Sequence, residues 1–381
     1  MGLYTLQSMA GIYIHIPFCK QACHYCDFHF STSLKYKDEL LHALVKEIRL
    51  QKNYLDNETV ETIYFGGGTP SLLDASEINL LINAVTELHT VSSDAEITLE
   101  ANPDDLNDAK LKGLRQTDVN RFSIGIQSFF DDDLLWMNRA HRSKDGEASV
   151  KRAQDAGFEN ITADLIYGYP LLTDTKWKQN MDMMFELSIP HISAYSITVE
   201  PQTALAAFIN KNKQPPMNEQ QSAAQFTMLM EAMADHDFEH YEISNFCKPG
   251  HYSRHNSNYW QGVKYLGIGP SAHSYNGDTR QWNIASNPQY IQRIETGQLP
   301  AETETLTEEN RLNEYIMTSI RTMWGLNLDK LNSIASASAS QLLIAAQRYF
   351  DNGWIIQKDN ILYLTPAGKL YADNIAAGLF F

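Results

Sequence analysis

The sequence predicts an α/β protein in which six successive βα units build a parallel sheet, followed by a smaller, mainly helical C-terminal domain. Three observations support this fold class. In the first half of the chain, short runs rich in β-branched residues alternate with longer amphipathic segments. Several of the short runs are apolar on both faces, which is typical of parallel strands covered by helices. After Pro201 the alternation stops, and from Thr307 the pattern is helical.

The predicted strands and helices follow one another in a regular order. The strands are Ile12–Ile16, Thr62–Phe65, Glu96–Glu100, Arg121–Ile126, Ile161–Ile166 and Ile192–Thr198. The helices between them are Lys35–Gln51, Asp74–His89, Asp105–Gln116, Lys144–Ala156 and Thr173–Leu187. Such a sheet is either open and doubly wound or curled into a partial (β/α)6 barrel. In both architectures ligands bind at the carboxyl ends of the strands, so polar residues at those ends are candidates for a functional site.

The second half of the chain has a different character. A helix rich in Met and Ala is predicted at Asn218–His236, and Cys247 to Asn283 are rich in aromatic residues and glycine with little periodicity. The last segment ends in a predicted hairpin that turns near Asp359, and helices followed by a hairpin indicate a winged-helix-like domain. Because Leu306 to Phe381 carry 6 basic and 7 acidic side chains, packing is favoured there over DNA binding. The predicted units are 1–11, 12–210, 211–300 and 301–381.

Composition restricts the class of protein and its location. The apolar fraction is 43% in 381 residues, as in ordinary globular proteins, and no run approaches the ~18 apolar residues of a membrane span. Only 4 cysteines are present, which indicates a reducing compartment. The first residues resemble neither a signal peptide nor a myristoylation site, although Met9 is an alternative start. With 30 basic and 46 acidic side chains, nucleic-acid binding is disfavoured. We expect a cytoplasmic protein that is not an integral membrane protein.

Three cysteines stand close together directly after the first predicted strand. Cys19, Cys23 and Cys26 form a C-x3-C-x2-C pattern, and thiolates select zinc or iron–sulfur clusters. A structural zinc site would need His24 or His29 as its fourth ligand, because no second pair of cysteines is present. A [4Fe–4S] cluster normally takes four thiolates, so three would leave one iron open for another ligand. We favour the cluster over zinc and over unligated thiols.

Polar and glycine residues follow the other predicted strands. Gly66-Gly67-Gly68-Thr69-Pro70 comes after the second strand, and glycine lets backbone groups approach a ligand because it has no Cβ. Glu100 ends the third strand, Gln127 ends the fourth, Arg139 follows it, and Asp164 lies in the fifth. Each residue alone could be an ordinary loop residue. Their joint placement at one rim of the sheet predicts a ligand site beside the cysteines.

The cysteine loop resembles the signature of radical S-adenosylmethionine (SAM) enzymes. Tyr13-Ile14-His15-Ile16-Pro17-Phe18 precedes Cys19-Lys20-Gln21-Ala22-Cys23-His24-Tyr25-Cys26, and together they are similar to the branch that contains oxygen-independent coproporphyrinogen III oxidase and its relative, the haem chaperone. The resemblance implies a radical SAM partial barrel in which the three cysteines hold a [4Fe–4S] cluster and SAM chelates the open iron. It also implies an electron donor that reduces the cluster. The residues it assigns to cofactor binding are Tyr13, Phe28, Gly67, Gly68, Thr69, Glu100, Gln127, Arg139, Asp164 and Thr198.

Two departures from the oxidase pattern favour the haem chaperone branch. Phe28 stands where the oxidases carry a further cysteine, and only about eleven residues precede the first predicted strand. Arg254-His255-Asn256-Ser257-Asn258-Tyr259-Trp260 resembles the His-Asn-x-x-Tyr-Trp signature of the chaperones. An imidazole can ligate haem iron, so His255 is the candidate haem ligand. His251, His273 and Cys247 are rival ligands, and the alternative interpretation is that the motif builds the loop without touching iron.

The resemblance therefore predicts a protein that binds a cluster, SAM and haem, and that delivers haem to an acceptor. Any acceptor would be a membrane-bound haem protein, an expectation that depends on the family alone. The alternatives are an oxidase that decarboxylates coproporphyrinogen III, and a non-redox protein with a structural zinc site. The sequence does not decide whether SAM is cleaved in the physiological cycle, so whether the protein is an enzyme stays open, as does its oligomeric state.

Overall fold

The computed structural model describes residues 9–381, and six parallel strands with their helices make up its first half. The strands are β1 (Met9–Ile16), β2 (Thr59–Gly67), β3 (Val91–Ala101), β4 (Arg121–Gln127), β5 (Ile161–Tyr167) and β6 (His191–Ser196). They pair in sequence order, each parallel to the next. The α/β class and the six βα units are as predicted. The predicted extension, 1–11, falls largely on residues 1–8, which lie outside the described residues, and Met9 to Gly11 belong to β1.

Six helices connect these strands, one more than the sequence pattern indicated. They are α1 (Lys37–Leu50), α2 (Ala75–Thr86), α3 (Asp108–Leu114), α4 (Asp131–Trp136), α5 (Ser143–Asp155) and α6 (Asp174–Glu186). The start of α2 shows why the local sequence forms a helix there. The Asp74 side chain accepts the Glu77 N–H at 2.9 Å, and the Glu77 carboxylate accepts the Asp74 N–H at 2.9 Å. This capping box satisfies two donors that a helix start otherwise leaves unpaired.

The sheet continues beyond both ends of the predicted six strands. Six further strands give the order β12-β11-β10-β9-β1-β2-β3-β4-β5-β6-β8-β7. The added strands are β7 (Glu239–Glu242), β8 (Asn245–Cys247), β9 (Lys264–Ile268), β10 (His273–Tyr275), β11 (Thr279–Asn283) and β12 (Ala301–Thr305). Helices α7 (Ala204–Asn210), α8 (Glu219–Asp235), α9 (Arg254–Gln261) and α10 (Asn287–Glu295) lie between them. Strands this short show little alternation, which explains the weak periodicity of Cys247 to Asn283.

Strand β9 is a seventh parallel strand, and it makes β1 an interior strand of the sheet. It pairs with β1 over Ala10 to Ile14 on the side opposite β2. The buried carboxylate of Glu47 in α1 joins this extension to the rest of the core. It accepts the Gly269 N–H at 2.8 Å, the Asn283 Nδ2–H at 2.7 Å and the Tyr290 hydroxyl. Three donors from β9 onward therefore compensate for the burial of Glu47.

The six βα strands curl around a common lumen. Side chains from all of them line one internal cavity, including Tyr13 of β1, Tyr64 of β2, Ser123 of β4, Thr162 of β5 and Ser193 of β6. The inward side chains are polar, whereas the helix-facing side chains build the apolar core. This curvature is that of a partial barrel, as predicted. It brings the carboxyl ends of β1 to β6 around one opening.

The C-terminal region has its own apolar core, formed by residues between Leu312 and Leu379. Its elements are α11 (Glu308–Ser319), β13 (Leu326–Asn327), α12 (Leu328–Ile334), α13 (Ser338–Asp351), β14 (Ile355–Lys358), β15 (Ile361–Leu364), α14 (Pro366–Lys369) and α15 (Ala372–Ala377). The predicted hairpin is present, since β14 and β15 pair around Asp359. The Met323 N–H donates to the Tyr241 carbonyl at 2.9 Å, and Arg321 lies 5.3 Å from the Trp260 ring centroid. This domain therefore packs on β7 and α9.

Within residues 9–381, no helix combines the length and the apolar character that crossing a bilayer requires.

Candidate cofactor site

The cysteine loop connects β1 to α1 and is fixed by hydrogen bonds of its own backbone and of the neighbouring loop. The Cys19 N–H donates to the Ser31 carbonyl at 3.0 Å, and the Ser31 N–H donates to the Pro17 carbonyl at 2.7 Å. Asn138, after α4, donates its Nδ2–H to the Ala22 carbonyl at 2.7 Å. The thiols of Cys19, Cys23 and Cys26 are free and partly exposed. All three line a cavity of about 560 Å³ at the carboxyl ends of the strands.

The glycine segment after β2 lies directly against this loop. The Gly68 N–H donates to the Ile16 carbonyl at 2.9 Å, and the Thr69 N–H donates to the Phe18 carbonyl at 2.7 Å. A Cβ atom at Gly68 would lie 2.7 Å from both carbonyl oxygens, so only glycine permits this approach. Gly67 has φ +103, a conformation that favours glycine. The glycines thus hold the cysteine loop close to the sheet, whatever ligand they also contact.

Polar side chains from β3 to β5 form the opposite wall of the cavity. The Arg139 guanidinium donates to Asn102 Oδ1 at 2.6 Å, to the Gly125 carbonyl at 2.9 Å and to Cys23 Sγ at 3.6 Å. Thr69 Oγ1 lies 3.6 Å from Cys19 Sγ and accepts the Asn102 Nδ2–H at 3.2 Å. Asn102 therefore links two side chains that each contact a cysteine. Gln127, at the end of β4, has φ +65, a backbone conformation that residues other than glycine adopt mainly where the surroundings impose it.

Burial controls the charges in the cavity. It raises the pKa of the Glu100 carboxyl to about 7 and that of the Asp164 carboxyl to about 7. Burial also raises the pKa of the Cys19 thiol, and it raises the pKa of the Cys26 thiol to about 12. The unligated thiols of Cys19 and Cys26 are therefore protonated at neutral pH, and a bound cation would favour the thiolates that ligate metals. Glu100 and Asp164 therefore provide two carboxyl groups with a pKa near neutral pH, and these can bind the hydroxyl or ammonium groups of a ligand.

The structure brings most of the predicted cofactor residues together. The residues that line the cavity with the three cysteines are Phe28, Gly67, Gly68, Thr69, Glu100, Gln127, Arg139, Asp164 and Thr198. Tyr13 lies instead in an adjoining cavity of about 240 Å³ inside the barrel. Phe28 is 66% exposed at the opening of the cofactor cavity.

His255 lines the same internal cavity as Tyr13, in helix α9 rather than in a loop. It is buried, and both ring nitrogens are already paired: Nδ1 lies 2.7 Å from Thr62 Oγ1, and Nε2 lies 2.9 Å from the Tyr259 hydroxyl. Iron ligation by His255 would require one of these bonds to break. Among the rival ligands, Cys247 is buried in β8, whereas His251 and His273 are exposed.

Sequence reasoning did not single out several residues of the site. Asn102, Tyr64 and Tyr195 line the cofactor cavity, and the Tyr64 hydroxyl donates to Glu100 Oε1 at 2.8 Å. Period-two alternation along β2 and β6 could have identified the two tyrosines as inward-facing. Asn102 lies in the Glu100-Ala101-Asn102-Pro103 segment, two residues after a predicted contact, and its position beyond the strand end was the available signal.

The donor set fits an iron–sulfur cluster better than a single zinc ion. The zinc alternative needed His24 or His29, but neither residue lines the cavity around which the three cysteines lie. In the described part of the chain, no three His, Cys, Asp or Glu side chains are gathered around a point where one ion would bind. Three thiols around a wide cavity are instead the ligands that a cluster with one open iron requires.

Comparison with known families identifies the class of protein. Residues 13–184 match the Radical SAM superfamily, and residues 306–371 match the HemN C-terminal domain. This chain is therefore a radical SAM protein.

Two relatives of similar length identify the branch. Heme chaperone HemW of Bacillus subtilis is 35% identical over 371 residues, which cover 96% of this chain and 98% of that protein. Heme chaperone HemW of Lactococcus lactis is 33% identical over 374 residues, covering 97% of each. The chain belongs to the HemW family. The structure of the Escherichia coli coproporphyrinogen III oxidase HemN, 22% identical, superposes with a TM-score of 0.85 over 98% of this chain and 90% of that one, and it confirms the fold.

Proposed function

We propose that this chain is a haem chaperone that binds a [4Fe–4S] cluster, SAM and haem, and that delivers haem to an acceptor protein. The observation that carries the proposal is the cavity in which three free thiols face Glu100, Arg139 and Asp164. Full-length similarity to proteins named heme chaperones supports the choice of haem as the ligand that is delivered.

Cys19, Cys23 and Cys26 would hold the cluster, leaving one iron open toward the cavity. The Thr69 hydroxyl and the Arg139 guanidinium each lie 3.6 Å from a cysteine sulfur. Such donors stabilise negative charge on thiolate ligands, and hydrogen bonds to sulfur are one means by which proteins tune cluster potentials. Asn102 holds both groups in place through hydrogen bonds to each of them.

The remaining lining residues would bind SAM beside the open iron. Arg139 is suited to the carboxylate of the methionine part, because guanidinium groups pair with carboxylates. The buried carboxyls of Glu100 and Asp164 are suited to hydroxyl or ammonium groups. Gly67, Gly68, Thr69, Gln127 and Thr198 complete the wall, with Phe28 at the opening and Tyr13 in the adjoining cavity. When bound and reduced by an electron donor, the cluster and SAM supply one-electron chemistry, which the protein orients and shields.

Haem would bind at the wide opening of the barrel, where aromatic side chains are accessible. Phe28 is 66% and Tyr195 46% exposed there, and aromatic rings pack well on a porphyrin face. His255 remains the candidate iron ligand, with His251, His273 and Cys247 as its rivals. We propose a membrane-bound haem protein as the acceptor, in keeping with a chaperone that works in the cytoplasm.

The test is an anaerobic experiment on reconstituted protein with SAM and a strong one-electron reductant. Haem is titrated in one sample, and coproporphyrinogen III is supplied to the other. We expect saturable haem binding and no protoporphyrinogen. Repeated formation of protoporphyrinogen would contradict the proposal, because it would show an oxidase that works without a cysteine at position 28. Absence of haem binding would contradict it independently.

A further inference from the structure

The cavity of about 240 Å³ inside the barrel has a polar floor that the proposed cofactors do not use. Its floor is formed by Arg121, Thr162 and His191, which lie at or next to the amino ends of β4, β5 and β6, and by Thr98, which lies near the carboxyl end of β3. Strand register places them side by side, because Thr98 pairs with Arg121 and Thr162 pairs with His191. Arg121, Thr162 and His191 lie at the end of their strands opposite the cysteine loop, which follows the carboxyl end of β1. It shares Tyr64, Glu100 and Tyr195 with the cofactor cavity, so one ligand can extend into both.

Two buried atoms of this floor have no hydrogen-bond partner. Thr98 is fully buried and His191 is 1% exposed, yet Thr98 Oγ1 and His191 Nδ1 are unpaired. The hydrogen bond of the other ring nitrogen, Nε2, bears on which tautomer His191 adopts. Its Nε2 lies 2.7 Å from the Tyr241 hydroxyl, which also accepts the Asn256 Nδ2–H at 3.4 Å. We assign Tyr241 as the donor to Nε2, an assignment that places the proton of a neutral His191 on the unpaired Nδ1.

Arg121 adds a positive charge to these unpaired donors. It is 1% exposed, and its guanidinium donates to Asn160 Oδ1 and to Thr162 Oγ1. The Glu96 carboxylate forms an ion pair with it at 4.0 Å but accepts no hydrogen bond from it, because its two oxygens accept the backbone N–H groups of Arg254 and His255. A guanidinium has five N–H donors, so several remain available to a ligand.

The Glu100 carboxyl group does not take these donors. Glu100 lines the same cavity, but its oxygens accept the Tyr64 hydroxyl at 2.8 Å and the Gly67 N–H at 3.2 Å. The floor therefore presents one hydroxyl donor, one imidazole donor and a partly paired guanidinium. Buried donors without acceptors are costly, and a group that only accepts hydrogen bonds and carries negative charge satisfies all three.

We propose that the floor of the barrel is a carboxylate-binding site formed by Thr98, Arg121 and His191. The proposal depends on the function proposed above, and under it the carboxylate is a propionate group of haem. The porphyrin then lies between the opening and the floor, with one propionate reaching into the lumen. This site is separate from the iron ligand, because it recognises the edge of the ring rather than the metal.

The test compares haem with haem dimethyl ester, in which both propionates are neutral esters, on the full-length reconstituted protein. We expect the ester to bind at least tenfold more weakly than haem. The Thr98→Val variant should weaken haem binding several-fold and leave ester binding unchanged. Because Thr98 Oγ1 has no partner in the free protein, this substitution breaks no internal hydrogen bond. Exposed Thr86→Val is the matched control and should alter neither affinity.

The outcomes separate this inference from the proposed function. Equal affinities for haem and its ester, or an unchanged preference in Thr98→Val, would overturn the carboxylate site while leaving the chaperone proposal intact. Absence of binding by both ligands would instead overturn the proposed function, and the inference with it. A second variant, Arg121→Gln, should also reduce the preference for haem over the ester, with folding verified by circular dichroism.

Discussion

The carboxylate of Glu96 in β3 accepts the backbone N–H of His255, the histidine of the His-Asn-x-x-Tyr-Trp segment, at 3.0 Å. Its other oxygen accepts the Arg254 N–H at 3.1 Å. These donors belong to the first turn of α9, where N–H groups have no partner within the helix. A side chain of the barrel thus holds the start of this helix against the lumen. The motif has a structural role whether or not it binds iron.

We expect Glu96→Gln to destabilise the protein. An amide offers only one accepting oxygen and places an NH2 group against the helix N-terminus, where negative charge is favourable. Loss of a helix cap costs about 1–2 kcal/mol in the free energy of unfolding. Denaturant unfolding measures the change, with exposed Glu304→Gln as the control. A stability equal to that of the wild type would show that the Glu96 contacts with α9 contribute nothing.

Removing the Tyr259 hydroxyl tests whether His255 binds haem iron. Tyr259→Phe breaks the 2.9 Å hydrogen bond to His255 Nε2 and frees that nitrogen for a metal. If His255 is the ligand, haem affinity should rise several-fold, and the Soret band should keep the form of histidine-ligated haem. In the His255→Ala variant, the Soret band of histidine-ligated haem should disappear. A haem spectrum that is unchanged in both variants would direct attention to His251, His273 or Cys247.

Cluster assembly should require the three cysteines of the loop and no other. Replacing Cys19, Cys23 or Cys26 by Ala should reduce iron and sulfide after anaerobic reconstitution from roughly four of each per chain to near zero. Cys247→Ala is the matched control, because Cys247 is also a free cysteine but lies in β8. An intact cluster in Cys23→Ala would disprove the ligand assignment.

Gly68→Ala should impair the cysteine loop through packing alone. The added Cβ would lie 2.7 Å from the carbonyl oxygens of Ile16 and Phe18, and backbone atoms cannot yield as a flexible side chain does. We expect lower cluster content and weaker SAM binding, measured by iron analysis and calorimetry. Gly113→Ala in α3 has room for its Cβ at 3.4 Å and should stabilise the protein by about 0.5–1 kcal/mol. If Gly68→Ala loads a full cluster, close packing at Gly68 is not needed.

Acidification should destabilise the fold through buried histidines such as His141. Burial, aided by the charge of Arg139, lowers the pKa of His141 to about 4. Its Nε2 is paired with the Ile126 carbonyl at 3.1 Å, and its Nδ1 has no acceptor for a second proton. The unfolded chain gains that proton near pH 6.5 but the folded chain only near pH 4. Stability is therefore complete above about pH 6.5 and falls toward pH 4, by up to about 1.4 kcal/mol per pH unit for one group.

The His141→Gln variant checks this dependence. Glutamine can still donate to the Ile126 carbonyl, but it does not titrate. The slope of unfolding free energy against pH between 6.5 and 4 should be shallower than in the wild type. The exposed His42→Gln variant is the control for replacing a histidine by glutamine. Parallel slopes for His141→Gln and the wild type would show that His141 is protonated equally in both states.

The sequence predicted local features well and long-range ones poorly. Glu100, Gln127, Arg139 and Asp164 were found because they lie at or near the ends of strands with clear patterns, and parallel strands bring those ends together. The pairing of His255 was not predictable, because Thr62 and Glu96 lie 193 and 159 residues away in the chain. Contacts between residues so far apart in the chain cannot be predicted from a local sequence pattern.

The extension of the sheet was missed for a similar reason. Strand β9 has only five residues, and it is identified by its pairing with β1, about 250 residues earlier. The aromatic and glycine content around it obscured any alternation. Asn102 was overlooked because its importance depends on Arg139 and Thr69, which approach it only in the folded chain.

The pairing of β1 with β9 also has a consequence for biosynthesis. The strand that precedes the cysteines emerges from the ribosome long before its second neighbour, which is complete only at Ile268. Contacts between such distant segments form late, because a long loop must close first. The cysteine loop therefore lacks one side of its support until most of the polypeptide has been translated. A fully supported cysteine loop therefore requires that the chain has been synthesised at least as far as Ile268.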